Sequence, residues 1–267
     1  MGRAKDIIVK VIPSKIANEF VKKHHYSGKV VPNSTLHFGC FLDDKLHGVM
    51  SYGSPLNKNS VIGLVQYTQW NEMLELNRMA FDEYLPKYSE SRCIAVTIRL
   101  IKKNAPHIKW ILSFSNACEC GDGTIYRASG FKLTNIKANK NNWVLPNGKV
   151  VNILNFSNKY MLLDFKRKGL KQTDTPHTNA KKLKAVIQEG YQLQYICLID
   201  KSCKITVPIL PFSKIDEMGA GMYKGNKVSL QDRKNNHAVL AQGSASDTLS
   251  EDGVRSDHTA QSGSNGI

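Results

Sequence analysis

A chain of 267 residues is long enough to bury a real core in one large domain or two small ones. Its 37 Lys and Arg outnumber 22 Asp and Glu, a formal charge of +15, while a hydrophobic content of 41% is ordinary for a globular protein. No apolar run approaches the roughly 20 residues of a membrane span, which excludes a helical membrane protein.

The positive excess lies on the part expected to fold. Residues 1–137 hold 19 Lys and Arg against 11 Asp and Glu, residues 138–234 hold 17 against 7, and residues 235–267 carry a net charge of −3. Such a surface attracts polyanions, so nucleic acid is the leading partner and plain solubility the bland alternative. Six scattered cysteines and a start without a secretory signal suggest free thiols in a reducing compartment, hence the cytoplasm. Cys118 and Cys120 are too closely spaced and too isolated for a structural zinc site.

Asp6 to Ile12 reads as a first strand, stopped by Pro13, and Ser14 as the N-cap of a helix from Lys15 to His24. Adjacent His24 and His25 end that helix, where imidazoles are commonly solvated near the negative pole. Leu36 to Leu42 and Leu46 to Tyr52 flank Asp43-Asp44-Lys45, a hairpin signal. Residues 53–71 form a less regular segment with Tyr67 and Trp70, either a base-stacking surface or an ordinary anchored loop. Leu74 to Phe81 is a further strand, and a long helix runs from Glu90 to Asn104.

Ile108 to Phe114 then reads as a buried central strand, followed by a small-polar crossing from Ser115 to Gly123. A short helix over Thr124 to Ser129 stops at Gly130. Strand, polar crossing, helix and glycine stop describe a cleft at the carboxyl end of a strand, where open α/β sheets bind ligands. The expected fold class is therefore α/β with a mixed, twisted sheet.

This order of elements resembles the GNAT (N-acetyltransferase-like) fold. The resemblance is carried by Glu75-Leu76-Asn77-Arg78-Met79-Ala80 before a long helix and by Ile125-Tyr126-Arg127-Ala128-Ser129-Gly130-Phe131. It implies two strands splaying apart to hold an acyl-coenzyme A, with the pyrophosphate on free N–H groups of the helix. The acetyltransferase turn carries Arg or Gln and two glycines, whereas this chain has Lys87-Tyr88-Ser89-Glu90-Ser91-Arg92-Cys93. Side chains replace the glycines, and Glu90 brings negative charge to the phosphate position. Ser89, Ser91 and Arg92 are the residues at which acetyl-CoA or a related donor would be met, and ordinary coenzyme A binding is not expected.

A narrower set of blocks occurs in order: residues 24–34, Gly63 to Val65, Trp70 to Glu72, 75–95, 105–110, 120–131, Leu145-Pro146 with Gly148, and 207–225. Together they are similar to the phage Mom family of DNA adenine-modifying proteins, over roughly residues 8–228. That resemblance implies conversion of adenine to N6-(carbamoylmethyl)adenine in double-stranded phage DNA, hiding it from host restriction endonucleases. It also implies a bound iron, a small-molecule donor, the cytoplasm of the bacterial host, and no membrane partner. The oligomeric state stays open, a dimer included.

Carrying the family's positions over gives His25, Tyr26, Ser91, Asn116 and Tyr126 as catalytic candidates, with Asp122 in support. Either His25 is a general base or it ligates metal. Tyr26 and Tyr126 either donate to a leaving group or, with His25 and Asn116, hold ferric iron. Family members commonly carry Asp where this chain has Asn116, which removes a charge and makes a poorer iron ligand. The blander alternatives are a Tyr126 ring packed under the sheet, a Ser91 capping its own helix, and an Asp122 capping the short helix. The adenine amine is a poor nucleophile held in a stacked duplex, so an enzyme must extrude the base and accept a proton from it.

The expected division is a catalytic core over 1–137, a basic extension over 138–234 packed on it, and a disordered tail over 235–267. In the extension a helix is expected from Thr178 to Gln188. Strands from Gln192 to Ile199 and from Ile205 to Leu210 are expected to extend the sheet. Lys166, Arg167, Lys168, Lys181, Lys182 and Lys184 are candidates for phosphate contacts, or else a solvated face. Two other functions fit the residues: an acyl-CoA-dependent N-acetyltransferase acting on a small amine or protein, and a DNA-binding protein without catalysis.

Overall fold

The computed structural model describes residues 3–157, 170, 173–223, 225–232 and 235. A 3-10 turn, Arg3–Asp6, precedes β1 (Ile8–Val11). Pro13 then takes the N-cap place of α1 (Ser14–His24) in extended conformation, so Ser14 is the first helical residue and not the cap. β2 (Ser34–Leu42) and β3 (Lys45–Gly53) pair to their ends and outrun the apolar runs that signalled them. Between them Asp43 and Asp44 have φ of 50° and 60°. A two-residue turn with both residues left-handed matches the twist of the strands, and Asp tolerates that conformation better than most residues.

β4 (Val65–Gln66), β5 (Met73–Phe81), α2 (Ser89–Asn104) and β6 (Trp110–Ala117) come next. α3 (Thr124–Ala128) and β7 (Lys132–Ala138) follow, with Gly130 left-handed between them at φ +81°. Beyond these lies β11 (Tyr191–Leu198). The main sheet has seven strands in the order β1-β2-β3-β5-β6-β11-β7. Every neighbouring pair is antiparallel except β5 and β6, which run parallel. The later strand β11 does not extend an edge; it lies between β6 and β7.

Each face of the sheet is covered. Under α2 and α3, Met50, Tyr52, Ile94, Ile101, Ile111, Leu193 and Tyr195 form the main core. On the other face α1 packs Ala17 and Val21 against Val49 and Ala80, while Val61, Val65, Trp110, Leu112 and Ile196 make a second cluster. The alternation of β-strand side chains explains the division, since Val49 and Met50, or Ile111 and Leu112, leave their strands on opposite faces.

β8 (Asn142–Val144), β9 (Val150–Asn152) and β10 (Val186–Ile187) make a small sheet of their own. It carries a separate core of Trp143, Val151, Phe156 and Ala180, the last from α4 (Pro176–Lys182). The expected helix to Gln188 thus stops at Lys182. The strand expected over 205–210 shrinks to β12 (Lys204–Ile205), which pairs with β4 outside the main sheet; Pro208 and Pro211 lack the N–H a longer ladder needs. α5 (Ser213–Glu217), β13 (Met222–Tyr223) and β14 (Asn226–Lys227) complete the unit Met1–Lys227. In the second unit, from Val228, the Ser229 hydroxyl accepts from the Asp232 N–H and the Asp232 carboxylate from the Ser229 N–H. No helix among the described residues is long and apolar enough to cross a membrane.

Candidate active site

β5 and β6 pair over four residues each, Met73–Leu76 with Trp110–Ser113. Past Leu76 and Ser113 each strand keeps only its other neighbour, β3 or β11, so the sheet opens between them. At the same point β5 is bulged: Tyr52 faces Leu76 and Ser51 faces Arg78, which leaves Asn77 as an extra residue. One added residue shifts the alternation of side chains, so Glu75 and Arg78, three apart, leave β5 on one face. Asn77 is itself buried; its Oδ1 accepts from the Ser34 hydroxyl at 2.7 Å, and its Nδ2 has no partner.

α1 ends in extended backbone at His25, whose ring lies against that of Tyr26 with centroids 4.3 Å apart. The Ser27 N–H donates to His25 Nδ1 at 3.1 Å, and the Ser27 hydroxyl lies 2.8 Å from the same nitrogen. A ring nitrogen that accepts from an amide carries no proton, so the neutral imidazole holds its proton on Nε2. Burial, helped by the nearby Arg78 guanidinium, lowers the His25 pKa to about 4 and keeps it neutral at physiological pH.

Tyr26 is 53% exposed as a whole, yet its hydroxyl meets Asn116, whose Nδ2 donates to it at 3.5 Å. Lost hydration, then the adjacent Cys120 thiol, raise its pKa above the usual phenol value. Tyr126 is only 8% exposed and packs between Phe131 and Tyr195. Burial pushes its hydroxyl up to about 12, against a hydrogen bond with Ser113. Both phenols are therefore protonated donors. Burial also raises the Glu75 carboxyl to about 7, although Arg78 pulls the other way. Arg78 donates from Nε to the Lys29 carbonyl at 2.9 Å and from Nη1 to the Asn77 carbonyl at 2.7 Å. Its charge reaches His25, Tyr26, Glu75 and Tyr126 alike, and so marks the centre of the group.

Asn116 lies on a strand, not in the expected crossing, because β11 pairs with β6 to its end, Gln192 opposite Asn116 and Tyr191 opposite Ala117. Its Oδ1 accepts from the Cys118 N–H at 3.1 Å, and its Nδ2 also donates to Glu119 at 3.4 Å. Asp122 is fully buried and accepts from the Thr124 hydroxyl at 3.0 Å, from Arg127 at 3.1 Å and from the Met222 N–H at 3.2 Å. The Tyr195 hydroxyl donates to its carbonyl. Gly123 follows at φ +83°, and a Cβ there would lie 2.4 Å from the Tyr195 ring. These contacts fasten the turn that carries Tyr126.

The remaining candidates lie elsewhere. Tyr88 precedes α2 in left-handed conformation at φ 69°. In the first turn of that helix the Ser89 hydroxyl donates to the Pro86 carbonyl at 2.5 Å and the Ser91 hydroxyl to the Tyr88 carbonyl at 3.2 Å. Arg92 donates to the Lys5 carbonyl at 2.7 Å. All three turn their polar groups to backbone, so they do not form a phosphate cradle with their side chains. Lys182 is ion-paired with Asp174 at 2.5 Å, while Lys181 and Lys184 are exposed beside it at the end of α4. Lys166, Arg167 and Lys168 lie outside the described residues.

The implied iron does not fit the residues assigned to it. His25 has its Nδ1 occupied and Asn116 is a neutral amide, so the set contains no carboxylate and leaves two phenols as its oxygen donors. Among the described residues no three His, Cys, Asp or Glu side chains converge as a metal would require. Sequence reasoning missed Glu75 and Arg78. The available signal was two ionisable residues flanking Leu76 and Asn77 in a strand otherwise built of Met, Leu, Ala and Phe, where charged side chains are seldom buried unless paired.

A family model described as the Mom protein family matches residues 6–214. The chain is 30% identical over 202 residues to the methylcarbamoylase Mom of Escherichia phage Mu, covering 75% of this chain and 79% of that protein. Similar solved structures include an acetyltransferase of Bacillus subtilis in complex with CoA, 11% identical, covering 72% of this chain and 98% of that one, with a TM-score of 0.38. Another is a GNAT family acetyltransferase from Elizabethkingia anophelis with acetyl-CoA bound, 10% identical, covering 72% and 97%, with a TM-score of 0.39. The sheet, with its parted parallel pair and a late strand inserted between two earlier ones, is the mixed α/β sheet that the order of elements led us to expect. By the span of the family match and the identity to the phage Mu protein, the chain belongs to the Mom protein family.

Proposed function

We propose that this chain is a DNA-modifying transferase that converts adenine in double-stranded DNA to N6-(carbamoylmethyl)adenine and so shields the DNA from restriction endonucleases. Family membership supports the reading, and one observation carries it at the level of the site. His25, Tyr26, Asn116 and Tyr126 come from three separate stretches of chain, yet they gather with Glu75 and Arg78 where β5 and β6 part.

In this mechanism the target adenine is swung out of the duplex, at a cost of a few kcal/mol of unstacking. It enters beside Tyr26, whose exposed ring offers a stacking surface, and Asn116, whose amide can meet a base edge. Glu75 is the proton acceptor, because a carboxyl with a pKa of about 7 is both available as the base and strong enough at neutral pH. His25 cannot take that part: its Nε2 bears a proton and its Nδ1 is engaged. It acts as a hydrogen-bond donor, as do the two phenols.

As the bond forms between N6 and the carbon of the donor, an N6 proton passes to Glu75 and the leaving group departs with the bonding electrons. Tyr126 donates a hydrogen bond to that departing group, and Arg78 offsets the negative charge that develops. The donor is a small molecule, and no step passes through iron or through a coenzyme A cradle.

Plasmid DNA prepared from cells expressing the chain is expected to resist endonucleases that contact adenine N6, and DNA prepared with Tyr126→Phe to be cut. Full sensitivity of DNA made with the intact chain would overturn the proposal.

A further inference from the structure

Beside the site, on the outer face of β6, β11 and β7, lies a concavity of about 350 Å³ that the mechanism does not use. Its floor is two cross-strand rows. Phe114 faces Gln194, which faces Asn135; in the next row Gln192 faces Lys137, and on the other side of Gln192 stands Asn116 of the site. Phe114 and Asn116 are two residues apart on one strand, hence on the same face and ~7 Å apart. Asn139, Lys140, Asn141 and Ser60 make the rim.

The lining is chemically consistent. It contains carboxamides, two ammonium groups and an aromatic ring that is 40% exposed, and no carboxylate. Asn139 uses both ends of its amide on backbone, donating to the Asn142 and Gln188 carbonyls and accepting from the Asn141 and Asn142 N–H groups. It builds the rim. Gln194 donates only from Nε2, to Thr134 at 3.0 Å. The side chains of Asn135, Gln192, Lys137 and Lys140 make no hydrogen bond or ion pair among the described residues, although Gln192 is half-buried. A sheet face with an open ring, unengaged amides and unpaired lysines suits a nucleotide. The ring stacks on a base, an amide offers a donor and an acceptor to its edge, and the lysines meet phosphate. Its volume also lies within the range of small-ligand sites, about 300–1,000 Å³.

We propose that this concavity is a subsite for the nucleotide flanking the modified adenine, with its base on Phe114, its edge at Gln192 and Asn135, and its phosphate at Lys137 and Lys140. The proposal rests on the DNA-modification reading above. It places the flanking nucleotide next to the target because Gln192 is the cross-strand partner of Asn116.

The test is fluorescence polarisation of a short labelled duplex carrying one adenine, over a salt series, combined with sequencing of the bases next to modified adenines in cellular DNA. Phe114→Ala is expected to weaken binding about 5- to 100-fold, and Phe114→Tyr to restore it. Lys137→Ala with Lys140→Ala should lower the slope of log affinity against log salt by about 0.9, as the loss of one neutralised phosphate of duplex DNA requires. Gln192→Ala should even out the base preference beside the modified adenine. All positions are exposed or half-buried, and melting temperatures near that of the parent chain confirm that the variants fold. If the parent chain modifies DNA while all three changes leave affinity, salt slope and flanking bases as they were, the subsite is overturned and the reaction stands. If the parent chain neither binds nor modifies DNA, the reaction and the subsite fall together.

Discussion

Replacing Glu75 by glutamine should raise stability and abolish activity, and both effects can be sized from the structure. The carboxyl is half-buried where β5 parts from β6, and burial lifts its pKa from 4.5 to about 7 in the folded protein. In the unfolded chain it returns to the ordinary value. Below pH 4.5 both states hold the proton and the group favours neither. Between 4.5 and about 7 the folded state keeps a proton that the unfolded state has lost, so stability falls as pH rises through that window. Above it the folded protein carries a burdened carboxylate at a cost of roughly 3 kcal/mol, at ~1.4 kcal/mol per pH unit. Glutamine has the same shape and no proton to lose. Glu75→Gln should therefore melt about 6–10 °C above the parent chain at about pH 8, and close to it at about pH 4, read by calorimetry at both values. Product formation should fall about 10²- to 10⁴-fold, as expected for loss of a general base. In the parent chain the rate should rise with pH through about 7. An equal melting difference at both pH values would refute the burial argument, and near-normal product from Glu75→Gln would refute the proton-acceptor role.

The His25 ring should stay neutral with its proton on Nε2 down to about 4, which heteronuclear NMR of the imidazole nitrogens reads directly; titration near 6.5 would contradict its burial. Gly123→Ala combines a left-handed φ of +83° with a Cβ only 2.4 Å from the Tyr195 ring, and should cost about 2–5 kcal/mol in urea unfolding. Asn116→Asp removes the amide that bonds Tyr26 and Glu119 and sets a second carboxylate beside Glu119. It should lower stability by about 1 kcal/mol at neutral pH, a deficit that shrinks on acidification as one carboxyl takes up a proton; a deficit that grows instead would contradict the placement.

Local signals in the chain identified most elements because their causes are local. The Asp43-Asp44 turn, the Pro13 stop and the Gly130 stop each act over a few residues, and each lies where its chemistry requires. What stayed hidden depends on distant partners. Asn116 reads as part of a polar crossing until β11, some 75 residues later, pairs alongside it and makes it strand. The inserted place of β11 and the separate small sheet around Trp143 have no local mark at all. The site divides in the same way. His25, Tyr26, Asn116 and Tyr126 entered as candidates through the family resemblance, whereas strict alternation would put Glu75 and Arg78 on opposite faces of β5. Only the bulge at Asn77, seen in the register against β3, brings them together. The iron reading came from the family resemblance, and the amide N–H bonded to His25 Nδ1 and the neutral amide of Asn116 leave that set short of ligands.

Mass spectrometry of nucleosides from DNA made in the presence of the intact chain bears most directly on the central claim. Deoxyadenosine heavier by one carbamoylmethyl group is expected with the intact chain and only in traces with Tyr126→Phe or Glu75→Gln. Unmodified deoxyadenosine with the intact chain, or equal product from all three proteins, would contradict it.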